Sequence, residues 1–221
     1  MNKKTGIILG ATGLTGGLLL EKLIADNTYD TIKLFTRKST GNKSPKVEEY
    51  IIDLHHIEDY KEDFKGDVVF CCIGTTASKT KNKSEYEKID LGIPYAASKL
   101  AAENKIPTYV VISAIGANHK SKIFYNRTKG KMEQAVLSTK IPNTYILRPS
   151  LIKDQRKNKR FGECIANFIF KLTGLFLIGK LKKYKAIDAN TIAQAMLNIA
   201  NSKIKSTILE SNHIQEIGKI K

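Results

Sequence analysis

Cysteine is scarce in this chain, and the placement of the three that are present excludes a disulfide framework. Cys71 and Cys72 are adjacent in a predicted strand, so their side chains point to opposite faces. Cys164 stands apart from both. A domain held together by disulfides shows a regular set of paired cysteines, which this sequence lacks. The cysteine pattern predicts a reducing compartment, and we expect a cytoplasmic protein.

The sequence also lacks a metal-ligand pattern and a membrane-spanning run. The four histidines have no metal-ligand spacing to cysteines or carboxylates, so we expect no metal site. The N-terminus opens with polar residues and shows no apolar run before a cleavage site, so we expect no signal peptide. The apolar stretch at residues 165–178 is shorter than the ~20 residues that a spanning helix needs. It predicts an amphipathic helix, with weak membrane-surface contact as the alternative.

Acidic residues are few compared with basic ones, which leaves 37 cations against 21 anions and a net charge of +16. Such a charge raises nucleic acid and anionic membranes as partners. Only five cations are arginines, however, and the basic residues are spread along the chain without interleaved stacking aromatics. The densest cluster, residues 153–160, indicates a solvated loop, with an anionic-substrate or docking patch as the alternative. We expect no specific nucleic-acid partner. The net positive charge has two interpretations, a functional role or a compositional bias of the whole chain.

A glycine-rich turn near the N-terminus is the most informative motif. Gly10, Gly13 and Gly16 lie between a predicted strand at residues 5–9 and a predicted helix at 18–24. We expect the first glycine to allow a tight turn, the second to admit phosphates close to the backbone, and the third to let the helix pack closely. The helix N-terminus offers N–H groups and a positive dipole end to an anion. This context predicts a dinucleotide pyrophosphate site, with a plain strand-to-helix turn as the alternative. Its predicted residues are Gly10, Ala11, Thr12, Gly13, Leu14, Thr15 and Gly16.

The end of the second predicted strand bears on the choice of cofactor. In this arrangement an acid about 20 residues past the glycines binds the ribose 2′-hydroxyl of NAD, whereas an arginine accommodates the 2′-phosphate of NADP. Here Arg37 and Lys38 follow the strand at residues 31–35, and no acid takes the position. The charges favour NADP(H) over NAD(H). The alternative is a solvated pair of cations in a lysine-rich chain.

Strand and helix patterns alternate along almost the whole chain, whose 221 residues fit one domain. The predicted strands span residues 5–9, 31–35, 46–52, 67–73, 108–112 and 143–147. The predicted helices span 18–24, 94–104, 125–137 and 189–200. This alternation predicts an α/β fold with a doubly wound parallel sheet and a small C-terminal helical annex. We expect residues 1–221 to be a single domain, in which about 151–186 form a small substrate-side segment.

Three polar residues form a candidate catalytic group. Tyr125 and Lys129 are four residues apart, so on a helix they share a face. Ser113 follows the strand at residues 108–112, and ligands in such sheets lie at the carboxyl ends of strands. We expect Tyr125 to act as general acid and base, and Ser113 to hydrogen-bond the substrate oxygen. Lys129 would hold the ribose and lower the pKa of the phenol from its ordinary value of ~10. The alternative is a tyrosine that only packs on its helix.

These motifs together resemble those of atypical short-chain dehydrogenase/reductases, over about residues 5–162. They are similar to the NAD(P)H-binding oxidoreductases typified by the human Tat-interacting protein, and the matching segments are GATGLTG, DVVFCCIGTT, VVISAIGA, YNRTK and ILRPS. The resemblance implies a Rossmann fold, NADPH binding and the three catalytic roles above. It further implies cofactor contacts by Asp53 and Leu54 beside the adenine, by Cys72, Ile73, Gly74 and Thr75, and by Pro149 near the nicotinamide.

The sequence departs from the family pattern at two places. The helix asparagine that completes the tetrad of typical members cannot be placed in this sequence, and Asp90 and Asn104 are poor candidates for it. The region after the sixth predicted strand is too short for the large sugar-nucleotide domain of extended members. We predict an NADPH-dependent oxidoreductase that reduces a carbonyl of a small-molecule substrate. The alternative is a non-catalytic, NADPH-binding redox sensor that acts through a protein partner, and the oligomeric state stays open.

Overall fold

Parallel strands dominate the protein, as the alternating sequence pattern predicts. The computed structural model describes residues 3–76, 78–153, 184–202 and 204–220. Its strands are β1 (Lys4–Leu9), β2 (Tyr29–Thr36), β3 (Val47–Ile51), β4 (Val68–Cys71), β5 (Thr108–Ile112), β6 (Asn143–Arg148), β7 (Ile152–Lys153), β8 (Ile187–Asp188) and β9 (Ile208–Glu210). Seven of them form one sheet in the order β3-β2-β1-β4-β5-β6-β9, and β7 pairs with β8 in a second, two-stranded sheet. Every pairing is parallel.

Helices cover both faces of this sheet. They are α1 (Leu14–Ala25), α2 (Lys83–Glu87), α3 (Ile93–Glu103), α4 (Phe124–Ser138), α5 (Ala189–Asn201) and α6 (Ser211–Ile217), with a 3₁₀ segment at Leu54–Tyr60. Along β1, Ile8 points into the core beneath α1 and α5, while its neighbours Ile7 and Leu9 point into the core beneath α3 and α4. Strands covered on both faces need apolar residues at successive positions, which explains the continuous apolar runs in the sequence. The predicted doubly wound α/β fold is confirmed.

Helix α5 belongs to the main body of the fold. It packs against α1, and its apolar side chains are buried together with Leu19 and Leu23. Strand β9 then adds to the sheet beside β6, and α6 packs back on α5. Most of the predicted substrate-side segment lies outside the described residues, as do the amphipathic helix predicted at 165–178 and all but Lys153 of the basic cluster at 153–160.

A π-helical turn interrupts the helical run that precedes β5. Residues Lys83–Glu87 are α-helical, Lys88–Gly92 form the π turn, and the α-helix resumes at Ile93. Pro94 stands at the beginning of α3, as predicted, but the chain is already helical before it. A proline lacks an N–H and crowds the preceding turn, so a widened turn just ahead of it accommodates both effects. This turn places Asp90 in the protein interior.

Among the described residues, no helix is both long enough and apolar enough to cross a bilayer.

Candidate dinucleotide-binding and catalytic site

The turn after β1 has the geometry of a cradle that excludes side chains. Gly10 has φ of +86°, in the left-handed region that favours glycine, and a Cβ there would lie 2.9 Å from the Cys72 carbonyl oxygen. A Cβ on Gly16 would overlap the Gly10 carbonyl oxygen. The Gly13 N–H donates to that same oxygen over 2.9 Å, which closes the turn. Backbone contacts therefore require glycine at positions 10 and 16, whereas a Cβ on Gly13 would lie 3.2 Å from the Gly10 carbonyl oxygen and leaves the fold possible.

Helix α1 begins directly after this turn and presents its N-terminus at the carboxyl edge of the sheet. Gly13 is its N-cap and carries no side chain to accept from the first N–H groups of the helix. Free N–H groups and the positive end of the helix dipole suit a phosphate. Because the cradle admits close approach of a ligand to the backbone, these residues fit the pyrophosphate of a dinucleotide.

A cleft of about 910 Å³ runs from this turn along the carboxyl ends of the strands. Many predicted cofactor contacts line it: Gly10, Thr12, Gly13, Arg37, Asp53, Leu54, Cys72, Ile73, Gly74 and Thr75. Beyond these predicted contacts, the lining also includes Thr36, Ile51, Ile52, His55, Tyr60, Lys79, Thr80, Ile89 and Ile93. Most of the additional residues end or follow β2, β3 or β4, so their position near the carboxyl end of a predicted strand was the available signal.

The other predicted cofactor residues lie around the cleft without lining it. Ala11 is buried in the core beneath α1, and Leu14, Thr15 and Gly16 form the first turn of that helix. Pro149 is buried after β6, where its carbonyl oxygen accepts from the Ile115 N–H over 3.0 Å.

Arg37 and Asp53 bring opposite charges to the same end of the cleft. Asp53 caps the 3₁₀ segment by accepting from the His55 N–H over 3.0 Å. This hydrogen bond lowers the pKa of the Asp53 carboxyl, and the charge of Arg37 lowers it further. Lys38 is exposed and does not belong to the described residues that line the cleft. Of the two cations after β2, Arg37 is the one that faces the cleft.

Lys129 is buried in an ion pair that the sequence did not reveal. Its ammonium lies 2.7 Å from Asp90 Oδ1, and the two residues are only 4% and 0% exposed. The other carboxylate oxygen of Asp90 accepts from the Thr75 N–H over 2.7 Å. A Cβ on Gly74 would lie 3.6 Å from Asp90 Oδ1 and 3.9 Å from the Lys129 ammonium. Because Gly74 lines the cleft, the ion pair lies directly behind the cleft wall at this residue.

Asp90 was judged a poor candidate for the asparagine position of the tetrad, and its ion pair with Lys129 is a separate contact that the sequence did not predict. Side-chain periodicity places a residue on a helix face only when the helix is regular, and Asp90 lies in a π turn. Asn104, the other candidate, lies elsewhere: its amide donates to the Lys61 and Phe64 carbonyl oxygens at the end of α3.

Tyr125 lies one turn before Lys129 on α4 and is 41% exposed. Packing around the hydroxyl raises the pKa of Tyr125, the charge of Lys129 lowers it, and the charge of Asp90 raises it. The direction is upward overall, whereas the sequence alone led us to expect a lowered value. The difference arises chiefly because burial of the hydroxyl disfavours the charged phenolate, and the carboxylate of Asp90 adds to this effect against the ammonium. Burial by itself would lower the pKa of Lys129, but Asp90 and Tyr125 raise it, so the side chain remains charged.

Ser113 is buried at the end of β5, where its hydroxyl donates to Glu133 Oε1 over 2.5 Å. Glu133 also accepts from Arg148, which in turn pairs with Glu210 on β9 at 3.2 Å. Glu133 follows Lys129 by four residues and Tyr125 by eight, so helical spacing was the signal that could have identified it. Ser113 thus contacts α4, the helix that carries Lys129, and each of the two residues has a buried carboxylate partner.

Comparison with known proteins supports a nicotinamide cofactor. Residues 10–166 match the family model described as NAD(P)H-binding. Protein FMP52, mitochondrial, from Candida albicans is 31% identical over 210 residues, which cover 91% of this chain and 90% of the relative. Protein HTATIP2 from Rattus norvegicus is 27% identical over 226 residues, covering 99% and 91%.

Solved structures show the same fold at low sequence identity. MoeE5 in complex with UDP-glucose and NAD superposes with a TM-score of 0.69 and 14% identity, covering 97% of this chain and 80% of that one. A UDP-glucose 4-epimerase from Thermotoga maritima gives a TM-score of 0.69 and 15% identity, covering 97% and 81%. At this identity the likeness concerns the fold alone.

Proposed function

Because the chain belongs to the NAD(P)H-binding family of short-chain dehydrogenase/reductase type, we propose that it is an NADPH-dependent oxidoreductase that reduces a carbonyl of a small substrate. The observation that carries this proposal is the buried Lys129, held next to Gly74 in the cleft with Tyr125 one helical turn away. A buried ammonium beside an accessible phenol is an arrangement that supports proton transfer at the cofactor.

The roles of the side chains follow from their chemistry. The bound cofactor supplies the hydride. Tyr125 gives its proton to the developing alkoxide, and Lys129 keeps a positive charge near both the phenol and the ribose. Ser113 hydrogen-bonds the substrate oxygen, for which its hydroxyl must exchange its bond to Glu133. The glycine turn and the N-terminus of α1 hold the pyrophosphate.

We propose that NADP(H) is preferred over NAD(H), because Arg37 lines the cleft at the end of β2. A guanidinium at this position can form charge-assisted hydrogen bonds with the 2′-phosphate of NADP, and it binds the uncharged 2′-hydroxyl of NAD more weakly. Asp53 lies nearby, but its carboxylate is engaged by the His55 N–H.

A second candidate function is an NADPH-binding regulator that acts through a protein partner. Two observations favour it: Ser113 donates to Glu133, and Lys129 is paired with Asp90, so both groups have protein partners. In such a regulator the cleft would bind the dinucleotide, and its redox state would change affinity for the partner.

We also propose a reducing location, because Cys71 and Cys72 are free thiols, and we retain the cytoplasm that the cysteine pattern predicts. The relatives called FMP52 are named mitochondrial, which is the competing location. Fractionation of cells that express the tagged protein separates the two.

The experiment that tests the proposed reaction is NADPH oxidation against a panel of aldehydes, ketones and quinones. The proposal predicts turnover with at least one member and none with NADPH alone. A folded protein that binds NADPH in a direct titration, yet reduces no member of the panel, would favour the regulator.

A further inference from the structure

Asp90 is an acid in a place where burial strongly disfavours an unpaired charge. It is 0% exposed, and it lies in the π turn between α2 and α3. A π turn inside a helical run often accompanies a functional site, because the widened turn redirects one side chain. Here the redirected side chain is the carboxylate that meets Lys129 from α4.

Both oxygens of this carboxylate are engaged by groups that adjoin the cleft. Oδ1 lies 2.7 Å from the Lys129 ammonium, and Oδ2 accepts from the Thr75 N–H in the loop after β4. Gly74 beside them has no side chain, which leaves the pair next to the cleft. Asp90 therefore ties three separate elements together at the floor of the site.

Few other ionisable groups act on Lys129 and Tyr125. Cys71 on β4 and Tyr86 on α2 are neutral thiol and phenol groups whose pKa values are raised by burial. His55 of the 3₁₀ segment lies 3.6 Å from Glu85 of α2, at the surface. Lys131 of α4 pairs with Glu87 of α2 at 3.3 Å, also at the surface. The buried carboxylate of Glu133 on α4 is engaged by Ser113 and Arg148, so Asp90 is the buried carboxylate that pairs with the ammonium in this part of the described structure.

We propose that Asp90 is a positioning residue that fixes Lys129 beside the cleft and balances its charge, so that Tyr125 faces an ion pair instead of a lone ammonium. The part of this inference that concerns reduction rests on the proposed function. The part that concerns the phenol does not, since it follows from the buried pair alone.

The sign of the effect follows from the charges. The state that donates a proton has a neutral Tyr125 and a charged Lys129. Asp90 stabilises that state, because a carboxylate disfavours a phenolate and favours an ammonium. Without the carboxylate, the coupled pair loses its first proton at a lower pH, whichever group releases it.

The test is a spectrophotometric titration of the Tyr125 phenol, taken as the phenolate absorbance of the protein minus that of its Tyr125→Phe variant. Asp90→Asn keeps the shape of the side chain and removes its charge. We expect the phenol to titrate about one pH unit lower or more in Asp90→Asn, the usual scale for a nearby charge. In an active enzyme, the fall of the reduction rate at high pH should move down with it.

Glu87→Gln is the matched control, because Glu87 also links the α2 region to α4 by an ion pair with a lysine. That pair is exposed, so its loss should leave both the titration and the pH profile unchanged. If Asp90→Asn does not fold, the same charge can be removed in a Lys129→Met background. In that background, the Tyr125 phenol should titrate at lower pH in the double variant than in Lys129→Met alone.

The outcomes separate the two proposals. A lowered phenol titration without reduction of any carbonyl supports the inference about Asp90 and contradicts the proposed reaction. An active enzyme whose titration and pH profile are the same in wild type and Asp90→Asn overturns the inference and leaves the reaction standing. An equal shift in Glu87→Gln would also overturn it, since a general loosening of α4 would then be the cause.

Discussion

At the scale of single residues, Arg37 decides the proposed cofactor preference. Arg37→Ala should weaken NADPH binding by about 1.5–3 kcal/mol, the scale of a charge-assisted hydrogen bond, and hardly change NADH binding. Lys38→Ala is the control, because Lys38 lies outside the cleft lining among the described residues. Titration of both cofactors against the three proteins measures the effect. Equal losses of affinity for NADPH and NADH in Arg37→Ala would show that Arg37 does not bind the 2′-phosphate.

The buried Lys129–Asp90 pair makes a prediction about stability that does not depend on activity. Lys129→Met leaves the Asp90 carboxylate buried without its counter-ion, which should lower the free energy of unfolding by about 3–5 kcal/mol. Adding Asp90→Asn removes the orphaned charge and should restore part of that loss, so the two substitutions are not additive. Denaturant unfolding of the two single variants and the double variant provides the measurement. Strict additivity would show that the two charges do not interact.

Residue-scale predictions from sequence succeeded where a backbone constraint or regular spacing identifies a residue. Gly10 has the positive φ that its place after β1 predicts, and Tyr125 and Lys129 do lie one turn apart on α4. The acids that partner the candidate catalytic residues were not predicted. Asp90 depends on an irregular turn, whereas Glu133 was missed although it follows Lys129 by four residues on α4.

At the scale of elements, the turn between β1 and α1 carries the cofactor prediction. Gly13→Val should abolish dinucleotide binding, because the added side chain would occupy the space of the phosphates. A Cβ on Gly13 would lie 3.2 Å from the Gly10 carbonyl oxygen, so the fold should survive at reduced stability. Gly13→Ala, which adds the Cβ alone, should give a smaller loss of binding. The measurement is NADPH titration of proteins shown to be folded by circular dichroism.

A folded Gly13→Val protein with unchanged affinity for NADPH would show that the turn does not hold the pyrophosphate. Gly13 is the position to test, because Gly16 is constrained by the fold itself. A Cβ on Gly16 would overlap the Gly10 carbonyl oxygen. A substitution at Gly16 would damage structure and binding together and could not separate them.

Elements with strong apolar runs were predictable from sequence, whereas short or irregular ones were not. The fifth strand was predicted with the bounds it has, Thr108–Ile112, because buried β-branched residues fill it. The seventh strand of the sheet, Ile208–Glu210, has only three residues, too few to show a period. The π turn at Lys88–Gly92 leaves no periodic signature either.

At the scale of the whole molecule, the parallel sheet gathers the loops after its strands along one edge. The glycine turn, Arg37 and Gly74 come from loops after three different strands and line one cleft. The order of strands could not be derived from the sequence, because pairing is a long-range property. The clustering of these loops could be derived from the sequence, since the carboxyl ends of parallel strands lie at the same edge of the sheet.

The central claim is that this molecule reduces a carbonyl with Tyr125 as the acid, and Tyr125→Phe tests it most directly. The substitution keeps the ring and removes only the hydroxyl. NADPH oxidation with a reducible carbonyl should slow by roughly 10²–10⁴-fold, the usual contribution of general acid catalysis, while NADPH affinity changes little. Lys129→Met, measured beside it, should reduce both. An active wild type whose rate is unchanged in Tyr125→Phe would contradict the mechanism.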